Sequence, residues 1–540
     1  MKYAYNNDSR LTRVTDPTGT YGFTYDNMDR LTGTTTSYSF LAARTFTTGY
    51  SYDATSNRKG FTDPESGGTA YVYDTLNRLQ TLTPPAAFGT GSFGLSYDAL
   101  SRRTSLTRPN SVTTNYGYDD LSRLLSVLHQ LGASTIDGAT YTVDNAGNRT
   151  SKRDERAAVT SNYGYDSIYQ LLGTTQGATT TESYTYDAVG NRLSSLGVSP
   201  YSYNVSNQLT STPGVTYAYD NNGNTLTKTV GTNTTTYSWD FENRLTSVTL
   251  PGPGGTVSFK YDPFGRRIQK VSSAGTSVFA YDGINLVEET NASASVVARY
   301  SQGASFDDPL ALLRGGTTSY YETDGLGSVS SLTNAAGVLA QTYTFDSFGR
   351  TTASTGSLTN PFQFTARELD SETSLYYMRA RYFDPQTGRF LSEDPLGFSV
   401  GNNFYAYVLN SPLNLIDPVG LAPWPYGLYE KARKKLKKAN CALSAYYCRL
   451  REQVASLDEM SSDAITNTAI EEQKNGGAVS DLGKQRLQLC LSADQNCKDL
   501  LERCIKLALT NPFPPPSWLS DLIDHFSKNS PSPAPSIKRE

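Results

Sequence analysis

The feature that most restricts how this chain folds is a tyrosine–aspartate repeat running through roughly its first 290 residues. Well-formed copies read Tyr25-Asp26 to Arg30-Leu31, Tyr73-Asp74 to Arg78-Leu79, Tyr97-Asp98 to Arg102, Tyr118-Asp119 to Arg123-Leu124, Tyr186-Asp187 to Arg192-Leu193, and Tyr261-Asp262 to Arg266-Arg267. Weaker copies start at Tyr5, Tyr52, Val143, Tyr165, Tyr203, Tyr219, Trp239 and Tyr281. About fourteen copies at spacings of about 16–27 residues mean one supersecondary unit used repeatedly. Stacked units of that size build a shell or a solenoid rather than an enzyme pocket.

The unit Tyr184-Thr185-Tyr186-Asp187-Ala188-Val189-Gly190-Asn191-Arg192-Leu193 shows what one copy does. An aromatic residue at every second position is a strand with one face of rings. Asp, Gly and Asn then form a turn: Gly and Asn accept positive φ, and an Asp carboxylate bonds amides two residues on. Arg-Leu followed by Ser and Thr is the return strand, so each copy predicts a β-hairpin. The Asp and Arg of a copy are read as a turn cap and an ion pair within or between repeats. A row of Asp also suggests calcium, but an Arg a few residues on competes with a divalent ion, so no metal site is expected.

Composition agrees with an all-β chain. Among 540 residues there are 38 Tyr but only 4 Met and 2 His. The two, His129 and His525, are far apart, which argues against a multi-His metal centre; no cofactor is expected. The net charge of −4 gives no case for nucleic-acid binding by the whole chain. Met1 to Asn7 lacks the apolar core of a signal peptide, and no apolar run is long enough for a membrane span. The chain opens inside a repeat, at Tyr5-Asn6, and is expected to be part of a longer, truncated or split product.

From about Tyr320 the pattern changes to an aromatic, Arg-rich block. It reads Tyr376-Tyr377-Met378-Arg379-Ala380-Arg381-Tyr382-Phe383-Asp384-Pro385, then Gly388-Arg389-Phe390, Ser392-Glu393-Asp394-Pro395-Leu396-Gly397 and Asn414-Leu415-Ile416-Asp417-Pro418-Val419-Gly420-Leu421. On its residues alone, Asp-Pro before Gly is a turn former. The whole of 1–421 nevertheless resembles the YD-repeat family whose members end in an RHS-repeat-associated core. These are bacterial rearrangement-hotspot polymorphic toxins, C components of insecticidal toxin complexes and, more distantly, the teneurin YD shell. That pattern has a Tyr/Phe-Asp-Pro to Gly-Arg-Phe segment, two Asp-Pro-X-Gly motifs and a hypervariable C-terminus.

The resemblance implies a spiral shell of hairpins over 1–319, a core over 320–421, and a variable passenger over 422–540. It implies self-cleavage of the bond between Leu421 and Ala422 by Asp394 and Asp417. Two carboxylates held close cannot both ionise, so one stays protonated as an acid while the other activates water. Nineteen residues separate Gly397 from Asp417, one more than in the toxin members, with the extra residue expected in the 408–412 loop. Glu393 and Asp384 are the next acids, read as surface or turn residues. Arg379 and Arg381 are read as structural ion-pair formers rather than oxyanion donors.

The implied function is a carrier that encloses a C-terminal effector and releases it. Its partners would be its own cargo, a cognate immunity protein and a secretion apparatus, with a secreted or cell-surface location. The rival is a non-catalytic adhesive surface that contacts cell-surface glycans, because aromatic, Thr-rich β arrays also suit adhesion.

Residues 422–540 differ in style. They hold 17 Lys+Arg against 14 Asp+Glu, so this part is mildly basic where the whole chain is acidic. Leu, Ala, Lys, Arg and Glu predict two helices, about 428–460 and 482–509, broken at Asn475-Gly476-Gly477, with a Ser/Pro-rich tail. All five cysteines lie here, at seven-residue gaps along one helix face. An antiparallel helical hairpin pairs Cys441 with Cys504 and Cys448 with Cys497, leaving Cys490 free; a one-heptad slip pairs Cys448 with Cys504. Disulfides, buried reduced thiols and, less suited to the spacing, a zinc cluster all stay open. The basic run 431–438 is read as a solvated helix face. His525, beside Asp521 and Asp524, is read as a surface residue.

Overall fold

The computed structural model describes residues 1–304, 307–421 and 424–425. The expected helical domain, its five cysteines and Ala422 lie outside the described residues.

The described chain is built from antiparallel β-structure. Eighteen strands, from Lys2–Tyr5 to Arg192–Ser195, form one sheet in which each strand pairs with the next in sequence. Sixteen more, from Ser202–Tyr203 to Thr351–Gly356, form a second sheet on the same plan. The repeat is therefore a hairpin. Its register slips by one residue at the tyrosine, as between Thr24 and Tyr25 or Val72 and Tyr73. The slip is a bulge that the following turn creates. The hairpin rhythm crosses residue 320 without a break, through turns at Asp324 and Asp346.

The aspartate explains the turn. Oδ1 of Asp74 accepts the amides of Leu76 and Arg78, both at 2.9 Å, and Oδ2 accepts Nε of Arg78 at 2.6 Å. The same i,i+4 pair closes at 2.5–2.7 Å in the turns of Arg30, Arg102, Arg123, Arg244 and Arg266. Where Asn replaces Arg, at Asn57, Asn148, Asn191 and Asn224, its Nδ2 bonds the same carboxylate oxygen at 2.9–3.1 Å. The left-handed position is taken by Gly190 (φ 82°) and Asn77 (φ 57°), as the residue types predict, and also by Ser101 and Ser122. A serine bears that conformation because the capped amides on either side fix the turn.

In ten copies the tyrosine ties the repeat to the one before. Tyr25, Tyr52, Tyr73, Tyr97, Tyr118, Tyr165, Tyr203, Tyr219, Tyr261 and Tyr281 donate their hydroxyls to carbonyls one repeat upstream at 2.6–3.0 Å. Trp239 Nε1 does the same to the Thr225 carbonyl at 2.7 Å. The arginine reaches forward: Nη1 of Arg78 donates to the Asp98 carbonyl at 3.1 Å, and its guanidinium lies 4.9 Å from the Tyr97 ring centre.

The sheets meet on an apolar seam that mixes residues of both, for example Phe61, Tyr71, Leu82 and Phe93 with Val287, Leu310 and Tyr320. Ion pairs cross the same seam, among them Arg58–Asp282 (2.5 Å), Arg108–Glu322 (2.7 Å) and Lys152–Asp324 (2.8 Å). The core follows: a small sheet of Glu368–Asp370, Leu375–Met378, Arg381–Asp384 and Arg389–Phe390, and a two-strand ladder of Leu415–Ile416 with Trp424–Pro425. Its aromatic residues Tyr376, Phe383, Phe390 and Tyr407 pack with Leu171 and Tyr184 of the first sheet and Phe348 of the second-sheet segment. Among the described residues, no helix is long and apolar enough to cross a membrane.

Candidate active site of the core

Asp394 and Asp417 come together around one cation. The hairpin of Leu375–Met378 and Arg381–Asp384 presents Arg381, which lies buried with its guanidinium 3.5 Å from the Phe390 ring centre. Its Nη2 is 2.7 Å from Asp394 Oδ2 and 3.3 Å from Asp417 Oδ2. Both aspartates are buried, Asp417 at 2 % exposure. Such a triad exists away from water only because the charges are paired.

Each aspartate also shapes its own turn, as the Asp-Pro-X-Gly pattern suggests. Asp394 Oδ1 accepts the Leu396 amide at 2.9 Å, and the Gly397 amide donates to the Asp394 carbonyl at 2.9 Å. Asp417 Oδ1 accepts the Leu421 amide at 3.0 Å. The Asp417–Leu421 turn thus copies the Asp cap of the repeats, with an arginine supplied from another strand. The turn requires Gly420: its φ is 73°, and a Cβ there would stand 2.3 Å from the Met378 carbonyl oxygen.

The backbone ahead of Leu421 is held carbonyl by carbonyl. Arg379 Nη1 donates to the Pro418 oxygen, the Ala380 amide to Val419 at 3.1 Å, and Arg381 Nε to Gly420 at 2.5 Å. Burial pushes the Asp394 carboxyl up to about 6, against the pull of Arg381; the Asp417 charge adds to the rise.

The remaining predicted residues fall outside this centre. Asp384 caps its own turn through the Gln386 amide at 2.9 Å and faces Lys228 at 3.4 Å. Glu393 is half-buried at 3.3 Å from the Tyr405 hydroxyl, with its carboxyl raised by that burial. The loop expected to absorb the extra residue turns left-handed through Val408, Leu409 and Asn410, with φ of 42°, 56° and 58°. It is anchored by Asn410 Nδ2 on the Gly190 carbonyl at 2.8 Å. Sequence reasoning treated Arg381 as an ion-pair former and missed that it joins both aspartates; it also placed Arg379 and Arg381 in one strand, whereas Arg379 lies in the left-handed turn before the strand Arg381–Asp384.

The teneurin YD-shell family model matches residues 147–410, and the RHS repeat model matches residues 5–39. The chain is 32% identical over 425 residues to the tRNA3(Ser)-specific nuclease WapA of Bacillus spizizenii, covering 76% of this chain and 16% of that protein. It is 37% identical over 103 residues to the toxin protein Tse5 of Pseudomonas aeruginosa, covering 19% of this chain and 8% of that one. The crystal structure of TcdB2-TccC3-Cdc42 superposes with a TM-score of 0.62 at 19% identity, covering 78% of this chain and 24% of that chain. The fold is that of a YD-repeat β-hairpin shell. The chain belongs to the RHS/YD-repeat family.

Proposed function

We propose that residues 1–421 carry and enclose an effector formed by residues 422–540, and release it by hydrolysing the Leu421–Ala422 bond. The observation that carries this reading is the convergence of Asp394 and Asp417 on one arginine nitrogen, at the foot of the turn that ends in Leu421. Similarity to a nuclease and to a toxin protein supports the carrier half of the reading. Delivery would bring a secretion route and an immunity partner with it.

The chemistry is single-turnover. Asp417, ionised, takes a proton from water as the water oxygen attacks the Leu421 carbonyl carbon. Asp394, protonated, gives its proton to the departing Ala422 nitrogen. The products are a Leu421 carboxylate and a free Ala422 amine, and no further reactant is needed. Arg381 holds the pair together and fixes the Gly420 carbonyl, so the bond is presented without loss of orientation. One slow event per molecule suffices.

The test is intact-mass analysis of the purified full chain beside Asp394→Asn and Asp417→Asn. A wild-type fragment ending at Leu421 that disappears in both variants supports the reading. A single uncleaved mass in all three overturns it, leaves the aspartates as turn caps, and favours a non-catalytic adhesive shell.

A further inference from the structure

We propose that Asp307, which belongs to the second repeat sheet and not to the core, is a positioning residue for the scissile turn; this rests on the cleavage reading above. Asp307 lies in the short connection between the strands Val296–Gln302 and Pro309–Arg314, one residue before its end. Both of its carboxylate oxygens are spent on core arginines. Oδ1 receives Arg379 Nη2 at 2.6 Å and also Arg367 Nη2, and Oδ2 receives Arg379 Nη1 at 3.1 Å. A fork-to-fork pair of this kind fixes the guanidinium plane as well as its place.

That plane matters because the same Arg379 Nη1 donates to the Pro418 carbonyl, with Arg367 Nη1 at 3.5 Å from the same oxygen. Pro418, Val419 and Gly420 are the three residues before Leu421, and their carbonyls are taken by residues 379, 380 and 381 in order. Asp307 therefore sets the first rung of the register that leads to the cleaved bond.

A second observation points the same way. Arg379 sits at the tight turn between Leu375–Met378 and Arg381–Asp384 with φ of 60°. Turns of that kind favour Gly at a positive-φ position, because a Cβ there is strained. The arginine holds this conformation where its guanidinium bridges Asp307 and Pro418. The repeat sheet thus completes the cleavage site, and a core whose sheet is not docked presents the turn out of register. Release of the effector is thereby tied to an assembled carrier.

The experiment follows cleavage of the full chain during a pulse-chase in cell-free translation, read by intact mass. Asp307→Asn and Arg379→Gln are expected to slow cleavage by roughly 100-fold, the scale of an ångström-level misplacement. Asp307→Glu, which keeps the fork, is expected to recover most of the rate. Thermal unfolding of Asp307→Asn, measured in an Asp417→Asn background, reads folding apart from cleavage; if it does not fold, Arg379→Gln at the partly exposed turn carries the same test. Wild-type rates in both variants overturn the proposal and leave the cleavage reading intact. Loss of rate in Asp307→Glu equal to that in Asp307→Asn also overturns it. No cleavage in the wild type overturns the reading itself.

Discussion

One guanidinium, that of Arg381, joins the two aspartates of the candidate site. In an Asp417→Asn background, replacing Arg381 by Gln leaves the buried Asp394 carboxylate without its cation, a change that costs about 3–5 kcal/mol. The expected readout is a lower thermal midpoint in an Asp417→Asn background compared with Arg381 retained. Asp394 gives the pH behaviour. Its folded pKa is raised from the ordinary carboxylate value to about 6, so its stabilising contribution is full in acid and is lost as pH rises through about 6. Between those limits stability falls by up to about 1.4 kcal/mol per pH unit, and Asp394→Asn is expected to flatten that part of the curve. Under the proposed mechanism the single-turnover rate falls over the same interval, because the donor proton is lost. At Gly420, substitution by Ala drives a Cβ against the Met378 carbonyl, so intact mass is expected to show a mostly uncleaved chain. The two aspartates were legible as turn formers because Asp-Pro-X-Gly is a local signal, while their pairing was suggested only by the family resemblance. Arg381 and Asp307 were not: their contacts span tens of residues, and period-two alternation says which face a residue occupies, not what faces it.

The hairpin was legible for the same local reason. Aromatic alternation, an Asp and a positive-φ residue all sit within ten positions, and the structure builds each such run into two strands and a capped turn. What the pattern did not reveal is the division of labour, with tyrosine reaching back and arginine reaching forward. These contacts differ in weight. Tyr97→Phe removes one hydroxyl-to-carbonyl bond and keeps the ring under Arg78, so a loss of about 1 kcal/mol is expected. Asp74→Ala uncaps two amides and leaves Arg78 without its carboxylate, so a loss of about 2–3 kcal/mol is expected. Urea midpoints of the two variants, with hydrogen exchange to locate the loosened repeats, rank them; equal losses would contradict the division of labour.

At the scale of the whole described molecule, repeats alone would give a ribbon; the seam between the two sheets folds that ribbon back on itself. Arg108 and Glu322 lie at its centre, both essentially unexposed, with His129 Nδ1 3.1 Å from the same Glu322 oxygen. Glu322→Ala strands Arg108 and is expected to cost about 3–5 kcal/mol, seen as earlier protease cutting between the sheets. No motif in the sequence announced this pairing, because partners some two hundred positions apart leave no periodic trace. The tyrosine contacts have a different consequence. Each of the ten repeat hydroxyls that bridge neighbouring hairpins binds a carbonyl that precedes it in the chain, as Tyr25 binds Leu11 and Tyr261 binds Leu245. A polypeptide leaving the ribosome N-terminus first therefore always has the acceptor made before the donor arrives. Each new hairpin can close on a finished neighbour, and the wall is laid course by course in the direction of synthesis, before residue 422 is translated.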